Sequence, residues 1–227
     1  MKKNNFENLV VEKPWGYEYV IYSNKKLCIT YLNILHNHST SLHCHPSKKT
    51  GFILLSGTVE IQLGFYNREN SSAPSKTIIR PGLFHATKAL SQNGAIILEL
   101  ETPIDKNDIV RFKDNYGREK DDYQGSSQLK KITKDNLIFE EPDFNSSKKY
   151  VIGGVEILLE KHKDMKILSE RSLDTIISII DGGIRCKKTK QIVLGLGEVI
   201  KTGTMIKLSE VFEVDEFVTT LSVKSII

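Results

Sequence analysis

From residue 17 to residue 104 the chain runs as short apolar stretches rich in Ile, Val, Leu and Tyr. Gly, Pro, Asn and Ser interrupt them at intervals of about ten residues, the rhythm of an antiparallel sandwich or barrel. The pattern predicts strands at Tyr17–Tyr22, Cys28–Leu35, Thr40–His45, Gly51–Ser56, Val59–Leu63, Thr77–Ile79, Ala86–Leu90 and Ala95–Glu101. The polar, turn-rich stretch Asn67–Lys76 reads as a mobile rim loop. Asp105–Asp122 is charged, with Ile109, Val110 and Phe112 as its apolar anchors, and predicts a short helix packed on the barrel. Gln124-Gly125-Ser126-Ser127-Gln128 has the composition of a linker. Strands return at Val151–Glu160, Ile176–Ile180, Ile192–Leu194 and Phe217–Val223. The expectation is an all-β chain with one unit at 1–124, a linker at 125–128 and a second unit at 129–227.

The two halves align on a glycine. Leu55-Ser56-Gly57-Thr58-Val59-Glu60 lies over Ile180-Asp181-Gly182-Gly183-Ile184-Arg185, and Pro81-Gly82 lies over Leu196-Gly197 once a shorter second loop is allowed. In that register His43, His45 and Thr50 correspond to Leu168, Glu170 and Thr175, and His85 corresponds to Ile200. The second half then reads as a copy of the first without its imidazoles.

Composition narrows the function classes. The 227 residues are 39% apolar and 26% charged, which fits a globular chain and excludes disorder or a disulfide scaffold. A net charge of +4 with no clustered basic stripe gives no nucleic-acid footprint. The basic start, Met1–Asn8, has no apolar run behind it, and no window reaches the roughly 18 apolar residues of a spanning helix. Cys28, Cys44 and Cys186 are odd in number and widely spaced, as expected of reduced thiols in the cytoplasm. Histidine alone is unevenly spread: five of six lie between His36 and His85.

His43-Cys44-His45 places two imidazoles at i and i+2, on one face of a strand. Arg80-Pro81-Gly82-Leu83-Phe84-His85 adds a third just after a tight turn. Three neutral imidazoles on rigid strands suit a divalent transition metal, Zn first, with Fe, Co, Ni or Mn as alternatives, and leave coordination positions open. His36 and His38 sit at a turn and read as bystanders. His162, flanked by Glu160, Lys161, Lys163 and Asp164, reads as a surface residue, and Trp15 as a wedge in the core.

His43-x-His45, Gly57 and Pro81-Gly82-x-x-His85 resemble the two signature motifs of the cupin superfamily, jelly-roll barrels with an inward-facing metal site. Lys13-Pro14-Trp15-Gly16, Ser41-Leu42, Leu55-Ser56-Gly57-Thr58 and the stretch Asp108–Arg118 further resemble the C-terminal domain of type II mannose-6-phosphate isomerases, over roughly residues 12–118. The resemblance implies a bicupin, its second jelly roll degenerate, and a metal-dependent aldose–ketose isomerase acting on a sugar phosphate in surface-polysaccharide or nucleotide-sugar precursor synthesis. It also implies a homodimer. Glu99 and Glu101 share a strand face and are the candidate proton-transfer bases. Lys48, Lys49, Arg111 and Arg118 are the candidate phosphate partners, the two arginines having a second role open to them as ion-pair partners of Asp108 or Asp114. Thr50 departs from the pattern, for cupins carry a glutamate ligand there. That departure keeps two further readings open: a non-catalytic sugar-binding or assembly cupin, and a three-histidine Fe(II) dioxygenase.

Overall fold

The computed structural model describes residues 6–117 and 129–226. The expected linker at 125–128, and Arg118 with it, lie outside the described residues. Twelve strands occupy the first part: β1 Leu9–Lys13, β2 Gly16–Ser23, β3 Cys28–Ile34, β4 Leu42–Cys44, β5 Lys49–Ser56, β6 Thr58–Leu63, β7 Asn67–Ser72, β8 Ser75–Ile79, β9 His85–Ala89, β10 Ala95–Thr102, β11 Val110–Lys113 and β12 Leu129–Lys131. They form a seven-stranded sheet in the order β12-β1-β2-β3-β10-β5-β8 and a five-stranded sheet β11-β4-β9-β6-β7.

The pairing is nested. β3 pairs β10, β4 pairs β9, β5 pairs β8 and β6 pairs β7, all antiparallel. The contacts β10·β5 and β6·β9 then close the two sheets. A long hairpin rolled up in this way is a jelly roll, so the expected jelly-roll barrel is what the chain forms. Alternation divides the side chains of each strand. Trp15, Leu32, Phe52, Leu54, Val59, Ile61 and Ile97 fill the barrel. Ile53, Leu55, Leu98 and Leu100 point outward from β5 and β10 into a second core shared with the other half.

Two local expectations are corrected. Asn67–Ser72 is not a loop but β7, an edge strand paired with β6 along its whole length. No helix forms within the described part of Asp105–Asp122; β11 lies there and pairs with β4.

The second half is built of β13 Ser147–Ile152, β14 Val155–His162, α1 Lys166–Ser169, β15 Ile176–Cys186, β16 Ile192–Leu194, β17 Val199–Lys201, α2 Thr202–Ser209 and β18 Phe212–Ser225. β15 does the work of two strands. Its start pairs β17 and its end pairs β16, as β5 pairs β8 and β6 pairs β7. It bends at Gly182 (φ 69°), just as the chain turns at Gly57 (φ 87°) between β5 and β6. β18 likewise pairs β15 twice, Val214 opposite Ile184 and Leu221 opposite Ser178, where Ala89 opposes Val59 and Leu98 opposes Ile53. The register on Gly57 and Gly182 therefore holds, and the second half is a degenerate jelly roll.

One correspondence fails. β17 faces the start of β15, with Ile200 opposite Ile177, so Ile200 occupies the place of Thr77 opposite Phe52. The place of His85 falls instead at Glu210, which caps the C-terminus of α2. Leu168, expected at the place of His43, lies in α1. The two segments that carry imidazoles in the first barrel are thus helices in the second, packed on each other. Met165, Leu168 and Met205 fill the space with apolar side chains.

The halves meet sheet to sheet. Ile21, Ile29, Leu98 and Leu100 on one side pack against Ile157, Leu159, Leu221 and Val223 on the other. β10 consequently has one face in this seam and the other in the first barrel. Among the described residues no helix is long and apolar enough to cross a membrane.

Candidate metal centre

β4 and β9 lie side by side with His43 directly opposite His85, and His45 follows at the end of β4. The ring centroids are 4.4 Å apart for His43 and His85, 5.0 Å for His43 and His45, and 5.4 Å for His45 and His85. One ring nitrogen from each lies within 4.8 Å of the other two. All three rings are buried.

The orientation of each ring is fixed from behind. His43 Nδ1–H donates to Ser41 O at 2.8 Å, His45 Nδ1–H to Asp108 O at 2.6 Å, and His85 Nδ1–H to Leu83 O at 3.0 Å. A carbonyl can only accept, so each ring keeps its proton on Nδ1 and offers Nε2 as a lone pair. Nε2 of His45 and of His85 is buried without a hydrogen-bond partner. Burial, followed by the charges of the other two histidines, holds His43 well below the ordinary histidine range. Burial with Lys48 lowers His45, and burial brings His85 down to about 4. Neutral imidazoles with converging lone pairs and no donor among them are the set that fits a divalent cation.

The turns around the site explain why the sequence folds this way. Gly82 (φ 75°) closes the Pro81-Gly82 turn and donates its N–H to His45 O at 2.8 Å, which ties the two motifs together. Asp108, in the loop before β11, accepts the backbone N–H groups of Ser47 and Lys48 while its carbonyl holds His45.

The opposite wall comes from β10. Glu99 Oε1 lies 4.0 Å from His45 Nε2. Glu101, two residues on, is clamped: Lys48 donates to Oε1, and Lys106 donates to Oε2 at 2.6 Å. Burial alone would raise the Glu101 carboxyl, but Lys106 and Lys48 outweigh it and hold the group far below the usual carboxylate range. Glu99 has no such partner, and burial with the charge of Glu101 raises it. The cavity between these walls is about 70 Å³, lined also by Lys13, Trp15, Glu18, Ile109 and Arg111.

Of the residues singled out from the sequence, His43, His45, His85, Glu99, Glu101, Lys48 and Arg111 meet in one place. Lys49 does not: it turns to the second half and pairs with Glu198 at 2.8 Å. His36 and His38 stay at their turn, bonded to Ser91 O and His36 O. Trp15 is buried, as expected of a wedge, and also lines the cavity. His162 is not a surface residue. It is 5% exposed, beside Glu160, which Arg171 pairs. Sequence reasoning missed Asp108, Lys106 and Lys13, three charged residues in charged surroundings. Asp108 and Lys106 carried a signal in the charged stretch after Asp105, where Lys106, Asp108 and Arg111 border the site instead of forming a helix.

No protein-family model and no curated protein matches the chain. Solved structures do, at low identity. The chain is similar to KdgF from a Halomonas species, at 15% identity with a TM-score of 0.40, covering 45% of this chain and 93% of that one. It is similar to the capsular polysaccharide assembling protein CapF from Staphylococcus aureus, at 14% identity and a TM-score of 0.41, over 46% of this chain and 34% of that one. A putative sugar phosphate isomerase from Acidithiobacillus ferrooxidans is matched at 13% identity and a TM-score of 0.33, over 35% of this chain and 52% of that one. The jelly-roll assignment stands on the nested pairing of the strands themselves.

Proposed function

We propose that the protein is a metal-dependent isomerase that interconverts an aldose phosphate and a ketose phosphate, acting like a mannose-6-phosphate isomerase in polysaccharide or nucleotide-sugar precursor synthesis. The observation that carries the reading is the convergence of three donor-free imidazole nitrogens on a wall bearing two carboxylates and buried lysines. A divalent cation, zinc in this reading, would polarise the substrate carbonyl and the neighbouring hydroxyl. Glu99 and Glu101 are the candidate groups for taking the proton from the carbon next to the carbonyl and returning it to the carbonyl carbon. Lys48 and Lys106 fix both oxygens of Glu101. Arg111, on the cavity wall, supplies a charge-assisted donor for the phosphate. In this reading the reacting end of an open-chain sugar enters the cavity and the phosphate lies at its mouth.

The proposal includes a cytoplasmic homodimer, and the three free cysteines support a reducing compartment. The test is metal analysis of protein purified without added metal, followed by coupled assays on mannose, glucose and fructose phosphates. One metal per chain and turnover abolished by His43→Ala are expected. No metal above trace, with no turnover, overturns the reading. Thr50, buried at 0% exposure with a hydroxyl in place of a carboxylate, favours a second reading as a three-histidine Fe(II) dioxygenase. Fe(II)-dependent oxygen uptake without isomerisation would establish that one instead.

A further inference from the structure

We propose that the Glu99 carboxylate is a ligand of the cation held by His43, His45 and His85, supplied from β10 in place of the carboxylate that Thr50 lacks. The inference rests on the reading that the three imidazoles bind a metal ion. It assigns Glu99 to coordination.

The first argument is distance. Two ligand atoms about 2.0–2.1 Å from one tetrahedral zinc lie about 3.4 Å apart. Glu99 Oε1 and His45 Nε2 are 4.0 Å apart, so an approach of about 0.6 Å brings this pair to that spacing. His45 belongs to two groups whose ligand atoms lie within 4.8 Å of one another, one with His43 and His85 and one with Glu99 and Glu101, so Glu99 reaches the ion from the His45 side.

The second argument is availability. Both oxygens of Glu101 are taken by Lys48 and Lys106. Glu18 is paired with Lys13 at 3.2 Å. Glu99 is 9% exposed, and among the described residues its carboxylate has no hydrogen-bond partner. A carboxylate buried without a donor is costly unless a cation or a proton meets it.

The third is charge. Three neutral imidazoles leave the two positive charges of the ion uncompensated in a buried site. Lysines are paired with Glu101 and Glu18, so among the described residues Glu99 is the carboxylate on this wall without a lysine bonded to it. Register explains how the substitution works. Glu101 lies opposite Thr50 and Glu99 opposite Phe52 on the adjacent strand, so β10 presents its carboxylates to the same end of the barrel that β5 lines. Thr50 Oγ1 is buried there without a partner of its own.

The experiment is a cobalt(II) titration of the full-length, metal-free chain, read by visible absorption and by competition with a chelator. The variants are Glu99→Gln, Glu99→Asp and Glu101→Gln, with circular dichroism to verify folding. Wild type is expected to bind one cobalt per chain. Glu99→Gln should weaken binding by at least about tenfold and shift the absorption bands, since loss even of groups behind the ligands costs about 10–100-fold. Glu99→Asp, which keeps the charge on a shorter arm, should fall between the two and shift the bands as well. Glu101→Gln should weaken binding less than Glu99→Gln and leave the band positions unchanged. If Glu99→Gln binds within twofold of wild type with the same spectrum, the carboxylate is not a ligand while the imidazole site stands. If wild type itself takes up no cobalt, both readings fall together.

Discussion

Gly51 lies where the two halves touch. It sits on β5 between Thr50 and Phe52, which face the first barrel, and so faces the seam. A Cβ built on it would meet Val199 Cγ2 at 2.7 Å and the Gly197 carbonyl oxygen at 2.9 Å. Its φ lies outside the left-handed region, so the backbone itself accepts alanine. Two effects then compete in Gly51→Ala. Alanine reduces the freedom of the unfolded chain, worth about 0.4–1 kcal/mol in favour of folding. Against this, ordinary contact begins near 3.4 Å, so the Gly197 carbonyl must retreat by about 0.5 Å, which it can do only by moving the backbone. Overpacking of this kind costs about 1–3 kcal/mol. The net expectation is destabilisation by about 1–2 kcal/mol.

Urea unfolding followed by fluorescence of Trp15, the one tryptophan and 4% exposed, and by circular dichroism measures it. The midpoint should fall with the slope unchanged. Val199→Ala in the same chain should recover part of the loss, because it removes the methyl contact and leaves the carbonyl in place. A Gly51→Ala protein at least as stable as wild type, or one strictly additive with Val199→Ala, would show that the seam is not packed as described.

Three further outcomes are expected. Glu101→Gln leaves Lys48, 2% exposed, with its charge uncompensated, and should cost about 3–5 kcal/mol in a denaturant titration; an unchanged midpoint would mean that the pair is hydrated. The metal-free protein should lose stability in acid. His85 is brought from 6.5 to about 4, so between those values the unfolded chain takes up a proton that the folded one does not. The loss approaches about 1.4 kcal/mol per pH unit for this residue across that window, with no contribution above about pH 6.5; His85→Gln should flatten the profile there, and equal slopes would refute the assignment. Leu168→Ala should cost about 2–5 kcal/mol by opening a cavity in the second barrel while leaving cobalt uptake unchanged; loss of metal binding would place that core in contact with the site.

The strands buried on both faces were legible. Cys28–Leu35 and Ala95–Glu101 match β3 and β10 within one residue at each end, because a near-continuous apolar run bounded by turn residues leaves a mark in the sequence. β7 was not legible, since an edge strand exposed on nearly every residue carries no apolar period. Asp105–Lys113 misled for a related reason: its charges read as a solvated helix, yet Lys106 and Asp108 are bonded to Glu101 and to the turn before β5. The convergence of His43 and His45 was legible from spacing, because i and i+2 on a strand face one way, and His85 was legible from the Pro81-Gly82 turn before it. Their tautomers were not, since the carbonyls that fix them belong to Ser41, Leu83 and, far along the chain, Asp108. The glycine register of the halves was correct, but the site of His85 in the copy was misplaced, because α2 is inserted just where gapless counting would need to continue.

The seam also bears on how such a chain can change over generations. A repeated unit that has lost its chemistry is ordinarily expendable, and deletions that remove it are tolerated. Here the second unit covers Ile53, Leu55, Leu98 and Leu100, and two of these alternate along β10 with the carboxylates of the site. Removing it would expose an apolar sheet face and loosen the strand that carries Glu99 and Glu101. The second unit has helices where the first has imidazoles, yet the first barrel needs it as the cover of β5 and β10.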